Sequence, residues 1–572
     1  MILLLMLATA VVADIATYGY SPKGVNPTLY SPEDSIIQLD ENTFNDTVYC
    51  NDGECSSYLI EFYSDWCGHC RSFAPLYKSL AKDVDNWKNI VKVAAINCAD
   101  SVNEHVCKSN GVHFFPLIKY FPRNSSDALE SSKLEAYPFL SKMRDQLTKA
   151  IMDDYAINRF SDWPSFDFLG DVVTYGELWN GAPASAQHMA VIFENNQASL
   201  IGAQLLLDLS PHRDRLIGRR CLKSHPLAEA LKLTDFPAMA IFKRGERKPV
   251  LVSELRRLLM KEISEFLDTP AESSETDLQT IQFSSRKNRT QNNECDVNPE
   301  KCKKRFFVSE VDMLKAIRYA LFRETARNSE PLQAANLSAL HSFVNLLAEN
   351  FPTQTIEGDS DNKTLIYLDR SNRAVRVFSR LRDWIADKGL QGVVEISDWQ
   401  SEFLAAEEAA GHPFPLNAEW EHCAGSSGQF RGYTCGLWTS FHAISVSAYN
   451  NWLSNVSDSS HPLPPLQAIR DWVGSFFGCM HCREHFLRMT TSTFKMEANV
   501  RKPEDVFLYL WKAHNIVNAR LKGRETEDPL FPKFQFPAKF LCENCNEEGL
   551  TEASVQPFLL DYYSRIKPFP VQ

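Results

Sequence analysis

The sequence of 572 residues lacks two features that would define broad classes of protein. It has no basic tail and no stripe that mixes basic with aromatic residues, and its net charge is -12. Because nucleic-acid binding rests on basic patches that release counterions, the sequence argues against a nucleic-acid partner. After its first residues it also has no apolar run of about 18 residues or more. We therefore expect no transmembrane segment in the mature chain.

The N-terminus, MILLLMLATAVVAD, lacks the Lys or Arg that usually precedes a signal sequence. Its apolar run from Ile2 to Val12 is too short to span a bilayer, and Val11 and Ala13 occupy the small-residue positions of a signal-peptidase site. We predict a cleaved signal over residues 1–13, with a buried N-terminal strand as the alternative. A signal implies the secretory pathway (Golgi or endoplasmic reticulum lumen) or secretion.

Six N-x-[ST] triplets are consistent with that compartment, because such triplets accept glycans in secreted proteins. They begin at Asn45, Asn124, Asn288, Asn336, Asn362 and Asn455.

The 15 cysteines include 14 that fall into close pairs. In an oxidising compartment such pairs predict disulfides rather than free thiols, although sequence alone does not fix the connectivity. The pairs are Cys50 with Cys55, Cys67 with Cys70, Cys98 with Cys107, Cys295 with Cys302, Cys423 with Cys435, Cys479 with Cys482 and Cys542 with Cys545, and Cys221 is left over.

Three of these pairs have the spacing C-x-x-C, and they lie far apart in the chain. A zinc site would need the pairs at 479 and 542, but the 59 residues between Cys482 and Cys542 far exceed the spacing of about 15–20 in zinc ribbons. No metal site is therefore predicted. A four-residue ring also removes little entropy from the unfolded chain, so redox chemistry explains these pairs better than stability does.

The stretch DWCGHCRSFAP places the first C-x-x-C between a predicted strand at 57–64 and a predicted helix. Cys67 then lies at a helix N-terminus, whose partial positive charge stabilises a thiolate, and His69 is a second possible stabiliser. Pro116 interrupts a later strand-like run, where a cis peptide beside an active site is one explanation.

Residues 35–155 resemble the thioredoxin superfamily, and within it the protein disulfide isomerase branch, whose motif is also CGHC. Glu61 matches that family's buried acidic position and Pro116 its cis-proline. Residues 156–270 repeat the β/α pattern without a C-x-x-C and resemble a second, redox-inactive thioredoxin fold. A polar linker is predicted over 271–294 and a helical connector over 295–405, where nothing looks catalytic.

The C-terminal region combines aromatic, histidine and amide side chains on three predicted helices. Trp438 and His442 share one helix face, and His485 follows Cys479 and Cys482 on another. Each of these is, taken alone, more often packed core than ligand contact. Together they predict a wall for a flat, polar, aromatic cofactor.

The stretches RGYTCGLWTSFH, GCMHCREHF and HNIVNARLKG resemble the Erv/ALR sulfhydryl oxidases, which are helical bundles that bind FAD. This resemblance assigns residues 406–550 to an Erv domain and 551–572 to a C-terminal tail. The sequence differs from vertebrate members of the family at two positions: His481 stands where Asp is usual, and Phe536 stands where Trp is usual. The implied FAD contacts are Arg431, Trp438, His442, His481, His485, Trp511, His514, Asn515, Asn518, Lys533 and Phe536.

The whole chain resembles the quiescin sulfhydryl oxidases: two thioredoxin-like α/β domains, a helical connector and an Erv-type FAD-binding bundle. The resemblance implies a flavin-linked thiol oxidase that passes electrons from reduced protein thiols through two cysteine pairs to FAD and then dioxygen, giving hydrogen peroxide. It also implies a soluble form, and exposure of Cys67 to substrate. By this resemblance the expected catalytic cysteines are Cys67, Cys70, Cys479 and Cys482.

The remaining pairs divide into structural disulfides and one undecided pair. Cys542 and Cys545 form either a shuttle or a structural clip. The pairs expected to be structural are Cys50 with Cys55, Cys98 with Cys107, Cys295 with Cys302 and Cys423 with Cys435. Two other functions remain open from the sequence: an isomerase or chaperone whose helical domain binds clients without flavin, and a secreted structural protein.

Overall fold

The computed structural model describes residues 29–49, 56–170, 176–254, 295, 298–327, 330–358, 363–454, 462–524, 526–546 and 550–570. The predicted signal, the linker at 271–294 and the triplets at Asn288, Asn362 and Asn455 lie outside these residues. The asparagines of the three described triplets, Asn45, Asn124 and Asn336, are exposed.

One predicted structural disulfide also falls outside the described part of the chain. Cys50 lies directly after the first described range, and Cys55 lies directly before the second. The disulfide between Cys50 and Cys55 therefore stays a prediction from the sequence.

A five-stranded sheet forms the first module, with strand order β1-β3-β2-β4-β5. The central strand β2 is buried at every position because helices cover both faces of the sheet, so its sequence SYLIEFY is almost continuously apolar. The strands are β1 Ile37–Leu39, β2 Ser57–Tyr63, β3 Val91–Asn97, β4 Leu117–Phe121 and β5 Ser132–Leu134. The helices are α1 Glu41–Val48, α2 Gly68–Asp83, α3 Glu104–Ser109 and α4 Leu140–Asn158.

A four-stranded sheet of order β7-β6-β8-β9 forms the second module. Its central strand β6 pairs in parallel with β7 and antiparallel with β8, as β2 does with β3 and β4 in the first sheet. The peptide bonds before Pro116 and Pro237, one in each module, are cis. The elements are β6 His188–Glu194, α5 Ile201–Asp208, β7 Leu216–Leu222, α6 Pro226–Ala230, β8 Ala238–Lys243 and β9 Pro249–Glu254.

The predicted connector is helical, with small two-stranded sheets between its helices. Apolar residues recur at helical spacing along two segments of this connector, and both stripes are buried, one of them including Ile317 and the other Phe343, each at 0% exposure. Helix α8 continues directly into a π-helix at Tyr319–Glu324. The elements are α7 Pro299–Lys303, β10 Val308–Ser309, α8 Glu310–Arg318, β11 Leu332–Gln333, α9 Ala334–Asn350, β12 Gln354–Glu357, β13 Thr364–Tyr367, α10 Asp369–Lys388, β14 Val393–Val394 and α11 Ile396–Ala409.

The C-terminal bundle packs on the connector through α12 against α8 and α13 against α9. Its elements are α12 Gly432–Ser454, α13 Leu463–Phe476, α14 Met480–Arg488, a π-helix at Met489–Thr493, α15 Met496–Asn499, α16 Asp505–Leu521, α17 Glu552–Ser564 and β15 Ile566–Lys567. Short 3-10 helices occur at Asp85–Trp87, Ser101–Asn103, Ala128–Glu130, Glu177–Trp179, Ser210–His212 and Asn544–Asn546.

Two predicted boundaries need correction. Helix α17 lies within the predicted tail but packs against α12 and buries Val555 and Leu559, and β15 pairs with β10 of the connector. These residues are therefore part of the fold, because their apolar side chains complete its core. Helix α11 also runs across the predicted boundary at 405.

The order of modules confirms the predicted fold class of α/β domains followed by helices. Within the described ranges, no helix has both the length and the apolar character required to cross a bilayer.

Candidate redox centre and adjoining cavity

Cys67 is the N-cap residue of α2, and Cys70 lies in the first turn of that helix. The two sulfurs are not bonded to each other, and both residues are 0% exposed. Burial opposes ionisation of Cys67, but hydrogen bonds from Cys70 and from the His69 backbone, with the nearby Arg71 cation, lower its pKa below the ordinary value. Burial and the neighbouring Cys67 raise the pKa of Cys70 well above its ordinary value. These opposite shifts favour the thiolate at Cys67 over that at Cys70.

A buried carboxyl group lies behind this pair. Glu61 on β2 is 0% exposed, and its Oε2 accepts a hydrogen bond from the Tyr30 hydroxyl. Burial raises the pKa of Glu61 to about 8, although the bond from Tyr30 opposes the increase. A carboxyl with this pKa can exchange a proton near neutral pH, which Cys70 needs in order to ionise.

The second cysteine pair begins another helix in the same way. Cys479 is the N-cap residue of α14 and is bonded to Cys482. Phe115, which precedes Pro116, forms a parallel bridge with Cys479, and the Phe115 N–H donates to the Gly478 carbonyl at 2.9 Å. The backbone of the first module is thus paired with the segment that carries the second disulfide.

This docking explains why Cys67 is not exposed, contrary to the expectation from sequence. The adjacent Trp66 donates from Nε1 to the Tyr319 hydroxyl at 3.0 Å, and its ring lies 5.1 Å from the ring of Tyr433 and 5.7 Å from that of Phe477. The connector and the bundle therefore cover the face of the first module on which Cys67 lies. Cys67 is therefore closed to solvent in this arrangement.

A cavity of about 810 Å³ adjoins the second disulfide, and Cys482 lines it. Rings stack along one wall: Trp438 lies 4.2 Å from His514 at an interplanar angle of 10°, and His442 lies 5.2 Å from His514. Burial lowers the pKa of His442 to about 3, so this wall stays uncharged. The predicted contacts that line the cavity are Arg431, Trp438, His442, His481, His485, His514, Asn518, Lys533 and Phe536.

The other two predicted contacts, Trp511 and Asn515, do not line the cavity. Their polar groups bind the backbone of Phe536: the Trp511 indole N–H donates to its carbonyl, and Asn515 both donates to that carbonyl and accepts from its N–H, each at 2.8 Å. They hold one wall of the cavity in place.

Cations surround the cavity. Burial lowers the pKa of Lys533 to about 8 and that of Arg431 to about 10, so both remain largely protonated at neutral pH. The Nε atom of Arg431 is buried and finds no hydrogen-bond partner among the described residues. An anionic ligand would satisfy that group, so the donor set suits a cofactor that carries phosphate. Further lining cations, which the sequence did not suggest, are Arg71, Arg488, Arg520 and Arg524.

Sequence reasoning also missed contributions from outside the Erv-like stretches. His69 and Arg71 of the first module line the cavity, and so do Tyr562 and Tyr563 of α17. The rings of His69 and His481 lie 4.8 Å apart across the interface between modules. The apolar pattern of residues 552–564, which ends in Tyr562 and Tyr563, could have predicted that α17 contributes to the cavity. No nearby sequence pattern predicts that His69 docks there.

The remaining described pairs are disulfides: Cys98–Cys107, Cys295–Cys302, Cys423–Cys435 and Cys542–Cys545. Cys545 is 1% exposed, its Sγ lies 3.3 Å from the Ser554 carbonyl oxygen, and Ser554 Oγ donates back to the Cys545 carbonyl. These contacts attach the pair to the first turn of α17, which favours a structural clip.

Comparison with known proteins identifies both halves of this arrangement. Residues 35–144 match the thioredoxin family and residues 435–548 match the Erv1 / Alr family. Sulfhydryl oxidase 1 of Gallus gallus is 30% identical over 568 residues, which cover 95% of this chain and 68% of that protein. The chain belongs to the quiescin sulfhydryl oxidase family.

Two other curated relatives and one solved structure are similar to parts of this chain. Sulfhydryl oxidase 1 of Cavia porcellus is 29% identical and aligns over 91% of this chain and 78% of its own length. Sulfhydryl oxidase 2 of Homo sapiens is 28% identical and aligns over 98% and 76%. A solved sulfhydryl oxidase fragment of human QSOX1 is 29% identical and covers 46% of this chain and 99% of its own, with a TM-score of 0.38.

As a quiescin sulfhydryl oxidase, the protein is a thiol oxidase that makes disulfides in protein thiol substrates and uses a flavin cofactor. The isomerase or chaperone alternative has less support, since it leaves the Erv half of the chain unexplained.

Proposed function

We propose that this thiol oxidase passes electrons from substrate thiols through Cys67/Cys70 to Cys479/Cys482, and then to FAD, with dioxygen as the final acceptor. The observation that carries the proposal is the paired backbone of Phe115 and Cys479, which brings the first cysteine pair to the second.

The first step takes place on the separated first module. A substrate thiolate attacks the oxidised Cys67–Cys70 disulfide at Cys67, and Cys70 leaves as a thiolate. A second substrate thiolate then displaces Cys67, so the substrate becomes a disulfide and Cys67/Cys70 becomes a dithiol. Glu61 supplies the proton that Cys70 takes up.

The second step takes place in the docked arrangement. The Cys67 thiolate attacks Cys479, a Cys67–Cys479 bond forms, and Cys482 leaves as a thiolate facing the cavity. Cys70 then attacks Cys67 and releases Cys479, which restores the first disulfide. Glu61 accepts the proton from Cys70.

The cavity is the proposed FAD site. Trp438, His442 and His514 would hold a planar ring system, and Arg431 and Lys533 would bind phosphate. A flavin held there would supply two-electron redox chemistry between the adjacent cysteine pair and dioxygen, with hydrogen peroxide as the product.

We further propose that the redox-active module spans 35–155, the second thioredoxin-like module 156–270, and the connector 295–409, where α11 ends, with the Erv domain extending from 410 to 567. The exposed asparagines at 45, 124 and 336 and the disulfides support a place in the secretory pathway or outside the cell.

The visible spectrum of the purified protein, recorded before and after adding a dithiol without oxygen, tests this function. We expect a flavin band that bleaches with a long-wavelength charge-transfer shoulder, because Cys482 lines the cavity. In Cys482→Ser the shoulder should be lost and oxygen consumption with thiols should cease. Full oxygen consumption by Cys482→Ser, or a protein without extractable flavin, would overturn the proposal and favour the isomerase.

A further inference from the structure

The end of the connector's first long helix lies between the two redox segments. Helix α8 and the π-helix that follows it carry Glu324 and Arg327 into the space where the first module meets the bundle. Both side chains are buried: that of Glu324 is 1% exposed and that of Arg327 is 12% exposed. The two form an ion pair with each other.

Toward the bundle, this ion pair binds the backbone that leads into the second disulfide. The Gly478 N–H donates to Glu324 Oε2 at 2.8 Å, and Arg327 donates from Nη2 to the Phe476 carbonyl. Both contacts lie within three residues of Cys479 in the sequence. The connector therefore fixes the position of the backbone next to Cys479, and with it the distance between Cys479 and Cys67.

Toward the first module, Arg327 binds the loop that contains Pro116. Its Nη1 donates to the His113 carbonyl at 3.1 Å, and its guanidinium lies 5.6 Å from the centre of the Phe115 ring. The Phe115 N–H then donates to the Gly478 carbonyl at 2.9 Å. Arg327 thus contacts both of the segments that the bridge between Phe115 and Cys479 pairs.

Gly478 shows how closely the guanidinium fits this segment. A Cβ at position 478 would lie 2.6 Å from Arg327 Cζ and 2.9 Å from Nη1. Any side chain there would displace Arg327 or the backbone, because such distances are shorter than van der Waals contact. The absence of a side chain at 478 allows the arginine to bind at this place.

We propose that Glu324 and Arg327 are positioning residues for electron transfer between the modules. They hold the Phe115 and Gly478 segments in register so that Cys67 reaches Cys479. The inference rests on the proposed electron route. The step itself forms the Cys67–Cys479 bond and breaks the Cys479–Cys482 bond, and it needs no external oxidant.

The test uses the full chain with Cys70→Ser and Cys482→Ser, in which a Cys67–Cys479 disulfide cannot be resolved. Oxidised glutathione supplies the oxidant, since two protein thiols form one disulfide and release two molecules of reduced glutathione. Peptide mapping by mass spectrometry at a series of glutathione ratios gives the effective concentration of Cys67 relative to Cys479. Adding Arg327→Gln should lower that concentration about tenfold or more.

Matched variants separate positioning from a general loss of structure. Arg380→Gln removes the ion pair of Arg380 with Glu402, inside the connector and away from the bridge, and should leave the effective concentration unchanged. Arg327→Lys keeps the positive charge but cannot bind the His113 and Phe476 carbonyls at the same time. It should therefore give an effective concentration between those of Arg327→Gln and the native residue. Gly478→Ala should reproduce the Arg327→Gln loss, and it serves as the second variant if Arg327→Gln does not fold.

A second readout detects a merely structural role. In a Cys67→Ser/Cys70→Ser background, a small dithiol reduces Cys479–Cys482 directly, and alkylation followed by mass spectrometry measures the rate. Arg327→Gln should leave this rate unchanged or raise it, because the direct reaction needs no docking and Cys479 is 0% exposed while the modules are docked. A fall as large as that of the effective concentration would overturn the positioning role.

The two proposals fail differently. An effective concentration that Arg327→Gln and Gly478→Ala leave unchanged would overturn the positioning role and keep the electron route. If no Cys67–Cys479 disulfide forms even with Arg327 intact, the electron route fails.

Discussion

Each of the two thioredoxin-like modules buries a glutamate on the central strand of its sheet, but the two glutamates have different partners. In the first module Glu61 has a tyrosine hydroxyl as its partner, and burial raises its pKa to about 8. In the second, Glu194 pairs with Arg220 at 2.7 Å, and both side chains are 0% exposed. Arg220 also donates to the carbonyls of Phe166 and Ser199.

The difference shows how one fold supports two roles. A buried carboxyl with a neutral partner can gain and lose a proton near neutral pH, which suits thiol exchange. A buried carboxylate paired with a buried guanidinium links neighbouring segments of the chain. In the first module Glu61 is thus available for proton transfer, whereas in the second module Glu194 stabilises the fold through its ion pair.

The largest effect that tests this comparison comes from the cysteines of the two modules. Cys67→Ala removes the nucleophile, so we expect oxidation of protein thiols to fall by about a thousandfold or more. Cys221 lies on β7 of the second module, and Cys221→Ala should leave turnover per folded molecule unchanged. Oxygen uptake with a reduced protein substrate measures both, and a comparable loss in Cys221→Ala would assign redox chemistry to the second module.

The second prediction concerns the buried ion pair. Arg220→Met leaves the carboxylate of Glu194 buried without its cation, and we expect a loss of about 3–5 kcal/mol in the free energy of unfolding of the second module. Urea unfolding of the full chain, followed through its first transition, measures the loss. Arg220→Met with Glu194→Met is the control and should recover much of it. Equal losses in the single and double variants would mean that packing, not charge, dominates.

The third prediction concerns Glu61. Glu61→Gln removes the group that exchanges a proton with Cys70, so resolution of mixed disulfides should slow by about tenfold to a hundredfold. The folded pKa of about 8 lies above the ordinary 4.5, so stability is lost as pH rises from about 4.5 to about 8. Glu61→Gln should flatten that decline. Quenched-flow trapping of mixed disulfides and unfolding at several pH values measure the two effects, and an unchanged pH profile would contradict this assignment.

The smallest effect concerns the interface that the first module forms with the bundle. Burial, with His481 nearby, lowers the pKa of His69 to about 4 in the docked arrangement, and Arg520 and Arg524 lie near His481. Docking therefore leaves His69 neutral, and it should weaken as pH falls from about 6.5 toward 4, because separated His69 binds a proton first.

We expect the rate at which the first pair reduces Cys479–Cys482 to fall several-fold over that range, beyond the fall caused by protonation of Cys67. Reaction of the first pair with an external disulfide gives the Cys67 contribution alone. His481→Asn should reduce the excess pH dependence, and a profile identical to that of the native protein would exclude this contact as its source.

Local sequence patterns predicted much of the fold. The strand at 57–63, the helix start at Cys67 and the buried stripes of the connector follow from apolar periodicity and from the C-x-x-C motif. The cavity residues Trp438, His442 and His514 were predicted from the resemblance to the Erv/ALR sulfhydryl oxidases, and Trp438 and His442 also lie four residues apart on one helix.

The remainder depends on contacts between segments that are distant in sequence. No pattern near Arg327 reveals that its guanidinium binds carbonyls at both His113 and Phe476. Trp511 and Asn515 share a helix face with true lining residues, but their partner is the Phe536 backbone, which only the folded loop brings close. The burial of Cys67 is likewise a property of docking and not of the motif.

That burial affects how the enzyme behaves among small thiols. With Cys67 covered by Trp66 and the aromatic rings of the connector and bundle, glutathione cannot reach the loaded pair while the modules are docked. On the proposed electron route, electrons taken from one client would then pass to the second cysteine pair before another thiol could exchange with them. Separation of the modules would then control how often a new client reaches Cys67.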